Sequence, residues 1–222
     1  MKKTKITKII VITGAGSGIG RETARLFLNN DYKVALIGRK SETLIKTANN
    51  NKNAMILPCD VSDYTKVNKT FLKIYKKYKR IDILFNNAGI SKKSGTIDEI
   101  SVKDWTEVVN TNLLGSYYCA REVFKIMRLQ KPQGGRIINN GSISSHSPRP
   151  LSSSYTSTKH AITGLTKSIS LDGRKFNIAC CQIDIGNAKS NLTRKMQIGI
   201  KQASGLMKKE PTFKTKHVAK SI

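Results

Sequence analysis

Tyr155-Thr156-Ser157-Thr158-Lys159 sets a phenol and an ammonium four residues apart. In a helix, positions four apart share a face, so the Lys159 cation can lie beside the Tyr155 hydroxyl. An unperturbed phenol titrates near ~10, and a neighbouring cation favours the phenolate, which would bring proton exchange toward neutral pH. Alone, the Y-x-x-x-K spacing is common in helices and carries little. Here it follows an apolar run and a serine-rich loop containing Ser142, whose hydroxyl could hold a substrate oxygen next to the phenol.

A second constellation lies near the start, where the apolar run Ile9 to Ile12 leads into Thr13-Gly14-Ala15-Gly16-Ser17-Gly18-Ile19-Gly20. Side-chain-free backbone amides at a helix start let an anion approach closely, and the helix dipole favours its charge. The spacing is T-G-x-x-x-G-x-G, with Ile19 where the commoner dinucleotide fingerprint would have another pattern. It predicts a pyrophosphate cradle from Gly14, Ser17, Gly18, Ile19 and Gly20; the bland alternative is a tight strand-to-helix turn. After the next apolar run comes Gly38-Arg39-Lys40 and no acid, which points to a ribose carrying a 2′-phosphate, hence NADP(H) in preference to NAD(H), with NAD(H) still possible. Asp60-Val61 follows the third run, where the carboxylate could accept the adenine amino group. Asn86-Asn87-Ala88-Gly89 follows the fourth, a small polar turn that could lie against a ribose.

These residues need a frame. Short β-branched runs at 9–13, 33–37, 54–59, 82–86, 135–139 and 177–183 alternate with helical patterns near 19–30, 42–50, 63–79, 102–130 and 155–176. Strict alternation implies parallel strands joined by right-handed crossovers, an α/β doubly wound sheet with helices on both faces, in one domain over 1–222. The nearly uniform apolar character of the runs fits strands covered on both sides. In such sheets ligands bind at the carboxyl ends of the strands, so the residues that follow each strand are expected to carry the function.

Composition narrows the class further. With 222 residues, 38% hydrophobic, a single core needs no disulfide or metal staples. The 40 Lys and Arg against 14 Asp and Glu give a formal net charge of +26, which raises nucleic acid or a membrane surface as partners. The 30 Lys and 10 Arg are spread along the chain and accompany 26 Ile and 16 Asn, the pattern of a global compositional bias. Nucleic-acid binding is therefore not expected as the main function. Cys59, Cys119, Cys180 and Cys181 have no metal-ligand spacing and read as buried, reduced thiols. No apolar run approaches a membrane span, and the lysines before Ile9 precede too short a run for an export signal, so a cytoplasmic protein is expected.

The markers, in this order and at these separations, resemble the classical short-chain dehydrogenase/reductase family, from the first strand to about Ser190. They are T-G-x-x-x-G-x-G at Thr13 to Gly20, Asp60, N-N-A-G at Asn86 to Gly89, Asn112, Ser142, and Tyr155 with Lys159. The resemblance implies a Rossmann fold and a reversible carbonyl–alcohol interconversion by hydride transfer on a small-molecule substrate. It implies Tyr155 as general acid/base, Ser142 orienting the carbonyl or alcohol, Lys159 binding the nicotinamide ribose and tuning Tyr155, and Asn112 supporting a water-linked proton path. Arg39 falls where family members that prefer NADP carry a basic residue. Gly186 and Ser190 fall in the turn after the sixth strand, where a threonine often touches the nicotinamide amide; Ile185 stands where the family commonly has proline. His217-Val218-Ala219 resembles the start of the family's last helix, so the fold is expected to be short at its C-terminus, without most of that helix or the final strand. Its sixth strand would then have unpaired outer backbone groups.

Two other readings compete: a non-catalytic dinucleotide-binding relative, against which the intact Asn112, Ser142, Tyr155 and Lys159 argue, and a basic RNA-binding protein, for which Tyr75 and Tyr78 in a Lys-rich helix are the best stacking candidates and read more easily as half-buried helix positions. Family members often pair through the long helix and the Tyr155 helix, implying a homodimer or homotetramer. Residues 143–154 and 191–211 are expected to wall the substrate pocket.

Overall fold

A computed structural model describes residues 8–190 and 192–222. The six expected strands form, as β1 (Ile9–Thr13), β2 (Lys33–Gly38), β3 (Ala54–Pro58), β4 (Ile83–Asn86), β5 (Gly135–Asn140) and β6 (Ile178–Ile183). They pair in parallel in the order β3-β2-β1-β4-β5-β6. The chain thus reverses its direction of travel across the sheet between β1 and β4, which opens a crevice at their carboxyl ends. All five residues of β1 are buried, as a central strand covered on both faces requires.

Helices α1 (Gly18–Asn29), α2 (Ser41–Ala48), α3 (Tyr64–Tyr78), α4 (Val102–Val109), α5 (Gly115–Leu129) and α6 (Ser153–Gly173) cover the two faces. α3 shows why these segments coil: Val67, Thr70, Phe71 and Ile74 recur at helical spacing and are buried, Asp63 caps the start by accepting from the Lys66 amide, and Lys79 ends it at φ 61°. One face of the sheet packs around Phe71, Ile74 and Leu84, the other around Ile12, Leu36 and Phe85. Each such fully buried side chain contributes about 1.5–3 kcal/mol, so the strand ends that carry the site rest on a stiff frame.

The long helix expected over 102–130 is interrupted. Between α4 and α5, Asn110–Leu114 winds as a π-helical turn, a register slip that apolar periodicity does not reveal. Beyond β6 the described residues form a short antiparallel pair, β7 (Ile200–Lys201) with β8 (Met207–Lys208), and α7 (Thr215–Ser221), which packs on α1. His217, Val218 and Ala219 are helical there, and the latter two are buried. β6 is an edge strand among the described residues. Cys181 on it is exposed and Cys180 half-buried, so only Cys59 and Cys119 fit the expectation of buried thiols; an edge strand covers its residues on one side only. Asn191, within the expected pocket wall, lies outside the described residues, as do residues 1–7 with the first lysines. No helix among the described residues is long and apolar enough to cross a membrane.

Candidate active site

β1 ends at the glycine turn, and positive φ is needed at two of its positions, Gly14 (64°) and Gly18 (51°). Gly20, inside α1, has its missing Cβ replaced by close approach: a methyl there would meet the Gly14 carbonyl oxygen and Asn87 Nδ2. Ser17 stands at the α1 N-cap with an extended backbone, and its hydroxyl makes no capping bond. The first amides of α1 are therefore not spent on a side-chain cap, which is the arrangement an incoming phosphate requires. Ile19 is half-buried and packs on the core beside Ile183 and Ile185, so the fingerprint's variant residue anchors the helix start.

The turn after β4 is tied to the glycine turn through Thr13. Its hydroxyl accepts from the amides of Asn87 and Ala88, both at 2.9 Å, while Asn87 Nδ2 donates to the Thr13 carbonyl at 2.9 Å. Asn87 Oδ1 in turn accepts from Asn140 Nδ2 at 2.9 Å, and the Asn140 carbonyl accepts from Lys159 Nζ at 2.6 Å. One hydrogen-bonded path thus links β1, β4, β5 and α6 across the crevice. Asn140, and the tie that Thr13 of the glycine motif makes to the Asn87 turn, were not foreseen from the sequence. The signal for Asn140 was present, since two consecutive asparagines end a parallel strand at the ligand-binding edge.

Arg39 projects from the end of β2, exposed and without a salt bridge or hydrogen-bond partner among the described residues. Asp60 is half-buried, and its Oδ1 accepts from Ser62 N at 3.0 Å and Ser62 Oγ at 2.7 Å, which fixes the carboxylate at the end of β3. The Val61 side chain belongs to the core, packed against Gly115, so only its backbone can face a ligand. Gly89 borders Asn112, and a methyl on it would lie 3.4 Å from Asn112 Oδ1.

Asn112 sits in the π turn and is buried. Its Oδ1 accepts from Ile90 N at 2.8 Å and its Nδ2 donates to Ile90 O at 3.0 Å and to Thr158 Oγ1 at 3.3 Å. The side chain is spent on holding the Asn86–Gly89 turn's continuation to α6. Only its backbone is left for the water-linked path that the resemblance implied, and that carbonyl accepts from Ser116 Oγ at 2.8 Å.

Tyr155 and Lys159 share a face of α6, with the Lys159 ammonium 5.5 Å from the centre of the phenol ring. The expected lowering of the Tyr155 pKa by Lys159 is not what the geometry gives. Burial raises the phenol above its ordinary value, and the neighbouring Ser142 side chain is what opposes the rise. Lys159 is itself buried and pushed down to about 8, partly offset by Asp184, while its Nζ is directed to the Asn140 carbonyl.

Ser142 starts a 3₁₀ turn, Ile143–Ser145, and its hydroxyl accepts from Ser144 N at 3.1 Å, leaving the hydroxyl hydrogen to donate. Gly186 lies in the turn after β6, against Phe213, and Ser190 faces Gly18 across the crevice, where a Cβ on the glycine would be 3.5 Å from that of Ser190. Ser190 N donates to Thr193 Oγ1 at 2.9 Å. The two expected pocket walls are joined by Arg149, which bonds Glu210 at 2.5 and 2.6 Å, with Asn187 Nδ2 on the same carboxylate at 2.6 Å. That pair, 61 residues apart, left no signal in the sequence. Of the histidines, His160 is exposed and bonded to its own helix through Thr156 O at 3.0 Å.

Residues 8–200 match the family model described as short chain dehydrogenase. A 3beta-hydroxysteroid dehydrogenase of Mediterraneibacter gnavus is 33% identical over 198 residues, 87% of this chain and 71% of that protein. The 3-oxoacyl-(acyl-carrier-protein) reductase FabG of Buchnera aphidicola is 32% identical over 214 residues, 95% of this chain and 84% of that one. The solved structure of ElxO with NADP bound superposes with a TM-score of 0.84 at 33% identity, covering 97% of this chain and 90% of ElxO. This chain belongs to the short-chain dehydrogenase family, a family of NAD(P)-dependent oxidoreductases.

Proposed function

We propose that the chain is an NADP(H)-dependent oxidoreductase that interconverts a carbonyl and an alcohol of a small molecule, with Tyr155 as its general acid/base. The observation that carries this reading is the convergence of Tyr155, Ser142 and Lys159 at the strand ends, on the crevice opened by the glycine turn. The residues fit a dinucleotide: the uncapped start of α1 and the glycines at positive φ suit a pyrophosphate, and the unpaired Arg39 guanidinium suits a 2′-phosphate. ElxO, a structural neighbour, was solved with NADP and NADPH, and a 3-ketoacyl reductase of Brucella melitensis with NADH.

When bound, the nicotinamide supplies or accepts the hydride. The chain does the rest. Ser142 donates its hydroxyl hydrogen to the substrate oxygen and stabilises the charge that develops there. Tyr155 donates its phenolic proton to that oxygen in reduction and takes one back in oxidation. Lys159 and Asn87, joined through Asn140, would hold the nicotinamide ribose, while Asp60 and the Val61 backbone would take the adenine, and Gly89, Gly186 and Ser190 would line the remaining wall.

A homodimer or homotetramer belongs to the same reading, since α5 and α6 expose Tyr117, Leu129 and Leu171. So does a cytoplasmic location. A nucleic-acid partner has less support, because Tyr78 packs on the core and only Tyr75 of the pair is exposed. Titration of the purified chain with NADPH and NADH, followed by a ketone and aldehyde panel, tests the reading. Tight NADPH binding is expected, and failure to bind either nucleotide would overturn it.

A further inference from the structure

The loop after β5 runs beside the end of β6 as if the strands continued. Gly141 N donates to Ile183 O at 2.9 Å and Ile143 N to Ile185 O at 3.3 Å. Between them the Ser142 amide has no carbonyl to meet and donates to Asp184 Oδ1 at 3.0 Å, with Ser145 Oγ a longer second partner at 3.3 Å. That same Asp184 oxygen accepts from Gln182 Nε2 at 2.7 Å, and Oδ2 lies 2.8 Å from His146 Nε2. His146 closes the 3₁₀ turn that Ser142 opens, its own amide donating to Ile143 O at 3.1 Å. One carboxylate therefore grips both ends of the turn that presents the Ser142 hydroxyl. The approach is close enough to need a glycine at 141, where a Cβ would collide with Asp184 Oδ1.

We propose that Asp184 and His146 are a positioning pair for Ser142: the carboxylate fixes the serine's backbone, the imidazole fixes the carboxylate, and the protonation of His146 is felt at the substrate-oxygen site. The kinetic part of this inference rests on the proposed function; the structural part does not. Asp184 is held below the usual carboxylate range because bonds from His146, Gln182 and the Ser142 amide outweigh the effect of its burial. It is thus a carboxylate, able to accept from the imidazole and the Ser142 amide together. The His146 side chain is 64% exposed, so its proton exchanges with solvent without passing through the crevice. The other charged group acting with Asp184 is Lys159 of α6, and the titratable group on Ser142 is Tyr155 of the same helix. Neither touches His146.

Isotope-labelled full chain, free of nucleotide, allows the test by NMR. The Ser142 amide resonance is expected to shift with pH at the same midpoint as the His146 ring. In His146→Gln, which keeps a hydrogen-bond donor and removes the titration, that shift is expected to vanish. A Ser142 amide that stays flat through the His146 titration of the unaltered chain overturns the proposal, with no variant needed. With 9,10-phenanthrenequinone and NADPH as probes, Asp184→Ala is expected to lower kcat about tenfold at unchanged NADPH affinity, and Asp184→Asn to recover most of it. Asp184→Ala with unchanged kcat would contradict it. Tyr155→Phe in the same assay separates the two claims: full turnover there sinks the proposed function and leaves the NMR result standing, and the NMR result alone decides if the quinone is not reduced.

Discussion

Lys159 Nζ donates to the backbone carbonyl of Asn140 at 2.6 Å, so the ammonium of the Y-x-x-x-K face is anchored to the end of β5 before any ligand arrives. The anchoring has a cost. A cation taken out of water with a single neutral acceptor is poorly compensated, which is why burial pushes its pKa down to about 8.

Lys159→Met should therefore make the nucleotide-free protein more stable at neutral pH while removing activity. The folded-state pKa lies below the ordinary 10.5, so the unfolded chain binds more protons between pH 8 and 10.5 and stability of the parent rises with pH across that window. The gain from Met should be full below pH 8 and fade by about pH 10.5, less whatever the lost bond to Asn140 contributes. Thermal melts at three pH values check it, each kcal/mol appearing as roughly 2–4 °C. A lower melting temperature for Lys159→Met at pH 7 would show that the buried lysine is net stabilising.

Arg39→Ala should weaken NADPH binding and leave NADH binding nearly unchanged. A hydrogen bond between charged partners contributes about 1.5–3 kcal/mol, hence a loss of roughly ten- to a hundredfold. Fluorescence titration with both nucleotides reads the ratio directly. Equal loss for both would mean that Arg39 serves the turn and not the phosphate.

Gly20→Ala should destabilise the fold by about 1–3 kcal/mol and weaken nucleotide binding together, because the added methyl would push on the Gly14 carbonyl and on Asn87. Chemical denaturation and NADPH titration on the same samples check both. At Gly186, where a Cβ would meet only Phe213 at 3.7 Å, alanine should cost far less stability.

Much of this was legible in the sequence, for identifiable reasons. Strand ends and the glycine turn announce themselves because apolar runs stop abruptly at small or polar residues, as at Thr13-Gly14 and Phe85-Asn86-Asn87. The π turn at Asn110–Leu114 was not legible, since a one-residue slip in hydrogen bonding leaves the apolar pattern of 102–130 intact. Pair contacts between distant loops, such as Arg149 with Glu210 or His146 with Asp184, depend on how two segments meet and have no local pattern. The direction of the Tyr155 shift is not legible in the sequence for a related reason: spacing puts the cation near the phenol, but burial raises the phenol, and burial is a property of the fold.

Oxidation of NADPH, followed by the absorbance of the reduced nicotinamide, against a panel of ketones and aldehydes with the parent chain and Tyr155→Phe side by side, tests most directly whether Tyr155 is the general acid/base. With general acid catalysis worth about 10²–10⁴ in rate, the parent should consume NADPH with at least one carbonyl, and Tyr155→Phe should lose turnover by that factor while binding NADPH as before. A Tyr155→Phe protein that turns over as fast as the parent would contradict it.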